Sequence, residues 1–270
     1  MIMISDAMQD EKIVVVGGTG GMGLSAARAF ISNGANVIVV GRDPAHVETA
    51  QKLLGTAGFA LMGDAKDEET AGFAIESCVK HFGGFTGLYH VAGCSGRKFG
   101  DGPLHELSLE GWEKTLTLNL TSLMLSNRAA IKYFLATGKG GAILNMGSVL
   151  GFSPSPGFFS THAYAAAKSA IIGFSKSIAA CYAKDNIRVN VIAPAVIDTP
   201  MTERAMNNPD ILNFVRTKQP LDSGRAGIPE DVDGAAVFLL SKAAKFITGQ
   251  VLAVDGGWTV SEGQYQNISE

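Results

Sequence analysis

Tyr164 and Lys168 stand four residues apart in Tyr164-Ala-Ala-Ala-Lys168, the spacing that puts two side chains on one face of a helix. The pairing suits acid–base chemistry. A phenol ionises near pH 10 and is a poor base at neutral pH. A cation about 5 Å away in an effective dielectric of about 20 favours the phenolate by roughly 3 kcal/mol, about a hundredfold in its ionisation constant. The spacing therefore predicts that Lys168 lowers the pKa of Tyr164. Taken alone, the pair also fits a tyrosine at a core edge beside a solvated lysine. Two further features weigh against that plain alternative: a serine at 148, and the glycine-rich stretch Val16-Gly17-Gly18-Thr19-Gly20-Gly21-Met22-Gly23.

These side chains need elements to hold them. Short apolar runs, rich in β-branched residues, recur at 13–16, 37–40, 59–62, 88–91, 142–146, 188–193 and 251–254. Apolar on both faces, they read as parallel strands covered by helices on each side. Helix-forming stretches lie between them at 21–33, 44–55, 67–82, 108–136, 163–184 and 230–241. The alternation predicts an α/β doubly wound parallel sheet of about seven strands, with 1–270 as a single domain. Two segments, 152–162 and 200–229, lack this regularity. Each follows a strand, and in a parallel sheet ligands sit beyond the carboxyl ends of the strands, so both are expected to cover the substrate.

The glycine stretch directly follows the first apolar run and opens a helix. Glycines let backbone approach a pyrophosphate closely, and a helix N-terminus offers unpaired N–H groups. Residues 17–23, with Gly17, Thr19, Gly21, Met22 and Gly23, are thus predicted to bind a dinucleotide. The second strand, Val37-Ile38-Val39-Val40, ends in Gly41-Arg42. A site for NAD(H) places an acid there to hold the ribose 2′-hydroxyl, whereas a 2′-phosphate needs the acid absent and a cation nearby. Gly41 with Arg42 favours NADP(H) over NAD(H), since a guanidinium makes two-pronged contacts with phosphate. Asp43 follows at once and is placed to turn toward the ribose, and Arg42 also fits a solvated loop charge, so NAD(H) stays open.

Gly17, Gly21 and Gly23, with Tyr164 and Lys168 downstream, make the chain resemble the short-chain dehydrogenase/reductase family over nearly its whole length. The resemblance implies a Rossmann-type fold and a hydride transfer between nicotinamide and a carbonyl or secondary alcohol. It implies that Tyr164 exchanges the proton, that Ser148 orients the substrate oxygen, and that Lys168 holds the ribose hydroxyls. Asn119 would position a water that relays protons through Lys168. Asp64 and Ala65 would contact the adenine, although Asp64 equally suits a helix cap. Ala92 and Gly93 would pass close to the cofactor, and the Ile197 backbone and Thr199 hydroxyl would hold the carboxamide.

Four departures from the family pattern stand out. Val16 replaces the threonine before the glycine turn, His90 an asparagine that braces the sheet, and Ala195 a glycine. Sixteen residues separate Ser148 from Tyr164, more than is usual, leaving Ser153 and Ser155 as alternative serines in the irregular segment.

Composition excludes several function classes. The net charge of -3 gives no basic field for nucleic acid. The three cysteines, Cys78, Cys94 and Cys181, are scattered and read as reduced thiols, and the five histidines show no ligand spacing, so no metal is expected. Glycine, at 33 of 270 residues, is enriched over a typical 7% or so, which marks tight turns and close backbone approaches. No leader-like or membrane-length apolar stretch is present, and a cytoplasmic protein without membrane contact is expected. Leu116, Leu118, Leu120, Leu123, Leu125, Ile131 and Phe134 spread round much of the 108–136 helix, more than one sheet face should consume, so a homotetramer is expected.

The expected function is therefore an NADP(H)-dependent oxidoreductase acting on a small carbonyl or alcohol substrate, including a 3-oxoacyl-type ketone. An NAD(H)-dependent sugar, polyol or steroid dehydrogenase is the alternative within the same chemistry. A non-catalytic dinucleotide sensor is the alternative outside it.

Overall fold

The apolar runs form seven strands: β1 (Lys12–Val16), β2 (Asn36–Gly41), β3 (Gly58–Met62), β4 (Gly87–His90), β5 (Gly141–Met146), β6 (Ile187–Pro194) and β7 (Val251–Val254). In the computed structural model, which describes residues 7–263, they pair in parallel in the order β3-β2-β1-β4-β5-β6-β7. The order reverses between β1 and β4, where Val16 lies opposite His90. A doubly wound sheet opens a crevice at such a point.

Alternating strand residues feed two separate cores, because successive side chains point to opposite faces. Ile13, Val15, Val37 and Val39 pack under α1 (Gly21–Ser32), α2 (Pro44–Leu54) and α9 (Glu230–Leu240). Val14, Val16, Ile38 and Val40 pack under α3 (Thr70–Phe82), α5 (Ser122–Thr137) and α6 (His162–Tyr182). Three shorter α-helices complete the set among the described residues: α4 (Leu109–Leu116), α7 (Glu203–Met206) and α8 (Pro209–Lys218).

The expected continuous 108–136 helix is instead α4 and α5 joined by a π turn over Thr117–Thr121. The Ser122 hydroxyl donates to the Leu118 carbonyl at 2.9 Å inside this wider turn. Periodicity alone does not reveal one inserted residue in a helix, and π turns gather at functional sites. Here it carries Asn119. The surplus apolar circumference expected of this helix is also corrected. Leu123, Leu125, Ile131 and Phe134 are all buried within the chain, and Leu120 and Leu123 pack with Ile171 and Val191 from α6 and β6.

Candidate active site

The glycine turn is shaped by what stands beside it. Gly17 has φ of 85°, and a Cβ built there would lie 2.5 Å from the Ala92 nitrogen. A Cβ at Gly23 would run into the Gly17 carbonyl oxygen. Any side chain at either position would push apart the turn, the start of α1 and the end of β4. Gly20 caps α1 with no side-chain hydrogen bond, so the first N–H groups of the helix keep their affinity for an anion. These features make a cradle that fits a dinucleotide diphosphate.

The cradle opens on a cavity of about 440 Å³ that runs from the turn to the ends of β2 and β3. Thr19, Gly21, Met22, Arg42, Asp64, Ala65, Ala92, Gly93 and Thr199 all line it. Gly41 leaves no room for an acid, since a Cβ there would run into the Thr19 hydroxyl. Asp43 is engaged elsewhere: its carboxylate accepts the His46 N–H at 3.0 Å and caps α2. That hydrogen bond holds its pKa below the ordinary carboxylate value. Asp64 caps a turn rather than a helix, accepting the Lys66 N–H at 3.0 Å and pairing with Lys66 Nζ at 3.3 Å. Lys66 thus adds a second cation at this end of the cavity, which the sequence pattern did not single out.

A smaller space of about 80 Å³ joins this cavity to the chemistry-bearing residues, with Met22, Gly93, Asn119, Ser148, Tyr164, Lys168, Ile197 and Thr199 in its walls. Lys168 is 3% exposed and donates from Nζ to the Met146 carbonyl at 2.8 Å. Its ammonium lies 5.4 Å from the centre of the Tyr164 ring. Burial brings Lys168 down to about 8. Burial also pushes Tyr164 up to about 12, while the Ser148 hydroxyl beside it acts in the opposite sense. Burial thus acts on the phenol in the sense opposite to the lowering expected from Lys168. Loss of water around the phenol outweighs attraction to a lysine that is turned toward Met146.

Asn119 is fully buried, and its side chain is spoken for. Its amide donates to the Cys94 and Thr115 carbonyls, both at 2.9 Å, and its Oδ1 accepts the Cys94 N–H at 3.2 Å. It braces the loop after β4 against the π turn, with both amide hydrogens spent on backbone carbonyls. His90 also braces: Nδ1 lies 2.9 Å from Ser126 Oγ and Nε2 3.4 Å from Ser122 Oγ. Burial and then the Lys168 charge bring His90 down to about 3, so the ring is neutral. Ser148, 7% exposed, accepts the Leu150 N–H at 3.2 Å; Ser155 is buried but lines none of these spaces. Ile197 and Thr199 sit where a second hydroxyl, Thr202, bonds the Ile197 carbonyl at 2.5 Å and accepts the Thr199 N–H at 3.0 Å.

One positioning residue escaped the sequence pattern. Asp101 is 4% exposed, and its two carboxylate oxygens accept the N–H groups of Ala163 at 3.0 Å and Tyr164 at 2.9 Å. It caps α6 from more than sixty residues away, fixing the turn that carries Tyr164. The only local signal was negative, as Thr161 makes no cap of its own.

Beyond Ser148 and Tyr164 lies a further cavity of about 320 Å³. Residues Phe159 and Thr161 of the first irregular segment and Pro200 to Ala205 of the second line it. Most of the aromatic residues there pack one another: Phe159 and Phe214 each lie 5.7 Å from the buried Trp258 ring, and Phe158 lies 5.5 Å from Phe214.

A family model described as enoyl-(acyl carrier protein) reductase, from the short-chain dehydrogenase/reductase group, matches residues 17–259. The chain belongs to the short-chain dehydrogenase/reductase family. It is 34% identical over 263 residues to 2-(S)-hydroxypropyl-CoM dehydrogenase 3 of Xanthobacter autotrophicus, covering 95% of this chain and 99% of that protein. It is 36% identical over 259 residues to the 3-oxoacyl-[acyl-carrier-protein] reductase FabG of Chlamydia trachomatis, covering 94% and 99% respectively. A solved short-chain type dehydrogenase/reductase from Mycobacterium ulcerans superposes with a TM-score of 0.84 at 29% identity, over 94% of this chain and 91% of that one. As a member of the family the protein is an NAD(P)-dependent oxidoreductase. Among the described residues no helix is long and apolar enough to cross a membrane.

Proposed function

We propose that this short-chain dehydrogenase/reductase is an NADP(H)-dependent enzyme that interconverts a ketone and a secondary alcohol, with Tyr164 as the proton-exchanging group. The observation that carries the reading is the convergence of Ser148, Tyr164 and Lys168 on the small space between the two larger cavities. Its walls are shared with both, so a carbonyl placed beside Tyr164 would have its carbon facing the glycine-turn side.

When bound, the nicotinamide supplies the hydride to carbon or accepts it. The chain supplies the rest. Negative charge grows on the carbonyl oxygen during reduction, and the Tyr164 hydroxyl neutralises it by giving up its proton. A phenol pushed up to about 12 holds that proton at neutral pH. Ser148 stands to donate to the same oxygen. Gly17, Gly21, Gly23 and the N-terminus of α1 would hold the diphosphate, Ala92 and Gly93 would let it pass, and Ile197 and Thr199 would contact the carboxamide. Asn119 acts as a brace in this scheme.

The NADP(H) preference is supported by three neighbours of the β2 end: Thr19 filling the space over Gly41, Asp43 spent on the α2 cap, and Arg42 lining the cavity with Lys66. Steady-state rates with both cofactors against 3-oxoacyl thioesters, short hydroxy compounds and cyclic alcohols test the whole reading. NADPH should have the higher specificity constant. Arg42→Ala should weaken NADPH by about 1.5 to 3 kcal/mol, the worth of a hydrogen bond to a charged group, and leave NADH nearly unchanged. Tyr164→Phe should lose about 10²- to 10⁴-fold in rate with cofactor affinity held within a few-fold. A Tyr164→Phe enzyme above a tenth of the native rate, or a native enzyme favouring NADH, would refute the corresponding half of the proposal. Cofactor binding with no turnover across the panel would favour the sensor reading.

A further inference from the structure

The cavity beyond Ser148 and Tyr164 has an apolar body and a cationic rim. Val149, Leu150 and Trp258 contribute apolar wall, while Arg97 and Arg204 stand at one side. The two arginines come from distant parts of the chain, the turn after β4 and helix α7, yet meet at one atom. Arg97 Nη2 donates to the Phe158 carbonyl at 3.0 Å, and Arg204 Nη2 donates to the same oxygen at 2.9 Å.

That arrangement leaves most of their hydrogen-bonding capacity unspent. Each guanidinium has five N–H donors, and each uses one on Phe158. Among the described residues neither forms an ion pair. Asp101, the carboxylate that acts on Arg97, has both oxygens committed to α6. Glu203 lies at the same cavity and is exposed without an ion pair of its own. Burial and then the Arg204 charge hold the Arg97 pKa below the ordinary guanidinium value, as expected for like charges held close together. Arg204 is fixed further by the Phe159 ring, 5.9 Å from its guanidinium carbon. Two cations held together at a cavity wall, neither bonded to a carboxylate among the described residues, form a fork for an oxyanion, since planar guanidinium donors match such groups.

We propose that the substrate carries an oxyanion, a carboxylate, sulfonate or phosphate, at the end remote from its reacting carbonyl, and that Arg97 and Arg204 bind it. The inference rests on the reading that Ser148 and Tyr164 face the reacting carbonyl. It adds a charge requirement to an otherwise apolar cavity: a neutral ketone fills the space but leaves the repulsion between the arginines unrelieved.

The test compares matched ketones with NADPH: a linear oxo acid of five or six carbons, its methyl ester, and the sulfonate and phosphate analogues of the acid. For the native enzyme, kcat/KM for at least one anionic ketone should exceed that for the ester by 30-fold or more. The preferred analogue distinguishes which oxyanion is the natural one. Arg204→Gln, at an exposed position, and Arg97→Gln should each shrink that ratio by at least tenfold, mainly through KM. An ester turned over as well as all three anionic ketones, or ratios unchanged in both variants, would overturn the proposal. Binding is read separately from turnover by quenching of tryptophan fluorescence, because Trp258 lines the cavity. If no ketone reacts but the anions still quench more tightly than the ester, and Arg204→Gln abolishes the difference, the oxyanion site stands and the catalytic reading fails. Equal quenching by anions and ester would overturn the oxyanion site whatever the turnover.

Discussion

Lys168 shows what burial does to a charge at a candidate reaction centre. Its folded pKa of about 8 lies below the ordinary lysine value of 10.5, so between these values the unfolded chain binds more protons than the folded one. Stability therefore rises with pH across that window, and below about pH 8 the full cost of burying the ammonium is present. At 1.36 kcal/mol per pH unit the cost is on the order of 3 kcal/mol. Tyr164 has the opposite sign. Its folded pKa of about 12 exceeds the ordinary 10, so above pH 10 stability declines as the unfolded phenol ionises first. Urea unfolding at several pH values should show stability rising from pH 8 to 9, above which the Cys78 thiol, pushed by burial from 9 up to about 12, acts in the opposite sense, and in Lys168→Met the rise from pH 8 to 9 should disappear. A slope that is the same in both proteins would refute the assignment.

At the scale of elements, the β2 end and the glycine turn act as one unit. Gly41 is kept bare by Thr19, which is 9% exposed and occupies the space an acidic side chain would need. Gly41→Asp alone should therefore destabilise the protein, because overpacking against a fixed neighbour typically costs about 1–3 kcal/mol, and should bind both cofactors poorly. Adding Thr19→Gly should restore the melting temperature most of the way. The double variant should then favour NADH over NADPH, as the new carboxylate meets the ribose hydroxyl and repels a 2′-phosphate. Cofactor titrations on the single and double variants check this, and equal folding of Gly41→Asp and native protein would contradict the steric argument. The buried amides of Asn127 and Asn145, joined by bonds of 2.8 and 2.9 Å with Ser175 as a third member, tie β5 to α5 and α6 in a similar way. They keep the strand that leads to Ser148 in register with the helix that carries Tyr164.

At the scale of the whole molecule, the expected tetramer loses its original support and gains a different one. Leu123, Leu125, Ile131 and Phe134 of α5 are used up inside the chain, but Leu104, Leu109, Phe238, Phe246 and Leu252 remain between 38% and 101% exposed. Exposed apolar side chains of this kind are what a subunit contact would cover. Light scattering at micromolar concentration should give a mass that is a multiple of the 28.2 kDa chain, with four copies as the expected number. A monomeric mass would exclude a stable assembly.

How much of this was legible beforehand follows from the range of the interactions involved. Strand periodicity, the strand–glycine–helix order and the four-residue spacing of Tyr164 and Lys168 depend on residues close in sequence. The sequence alone therefore determined the doubly wound sheet, the dinucleotide cradle and the helix that bears the tyrosine. Only the tertiary structure decided what surrounds these residues. Asp101 capping α6, Thr19 closing the space over Gly41, the Asn119 amide spent on Cys94 and Thr115, and two arginines meeting at Phe158 all join distant segments. The pKa of Tyr164 belongs to the same group: spacing supplies a cation beside the phenol, but whether water is also removed depends on the packing of strands and loops that come together only in the folded chain.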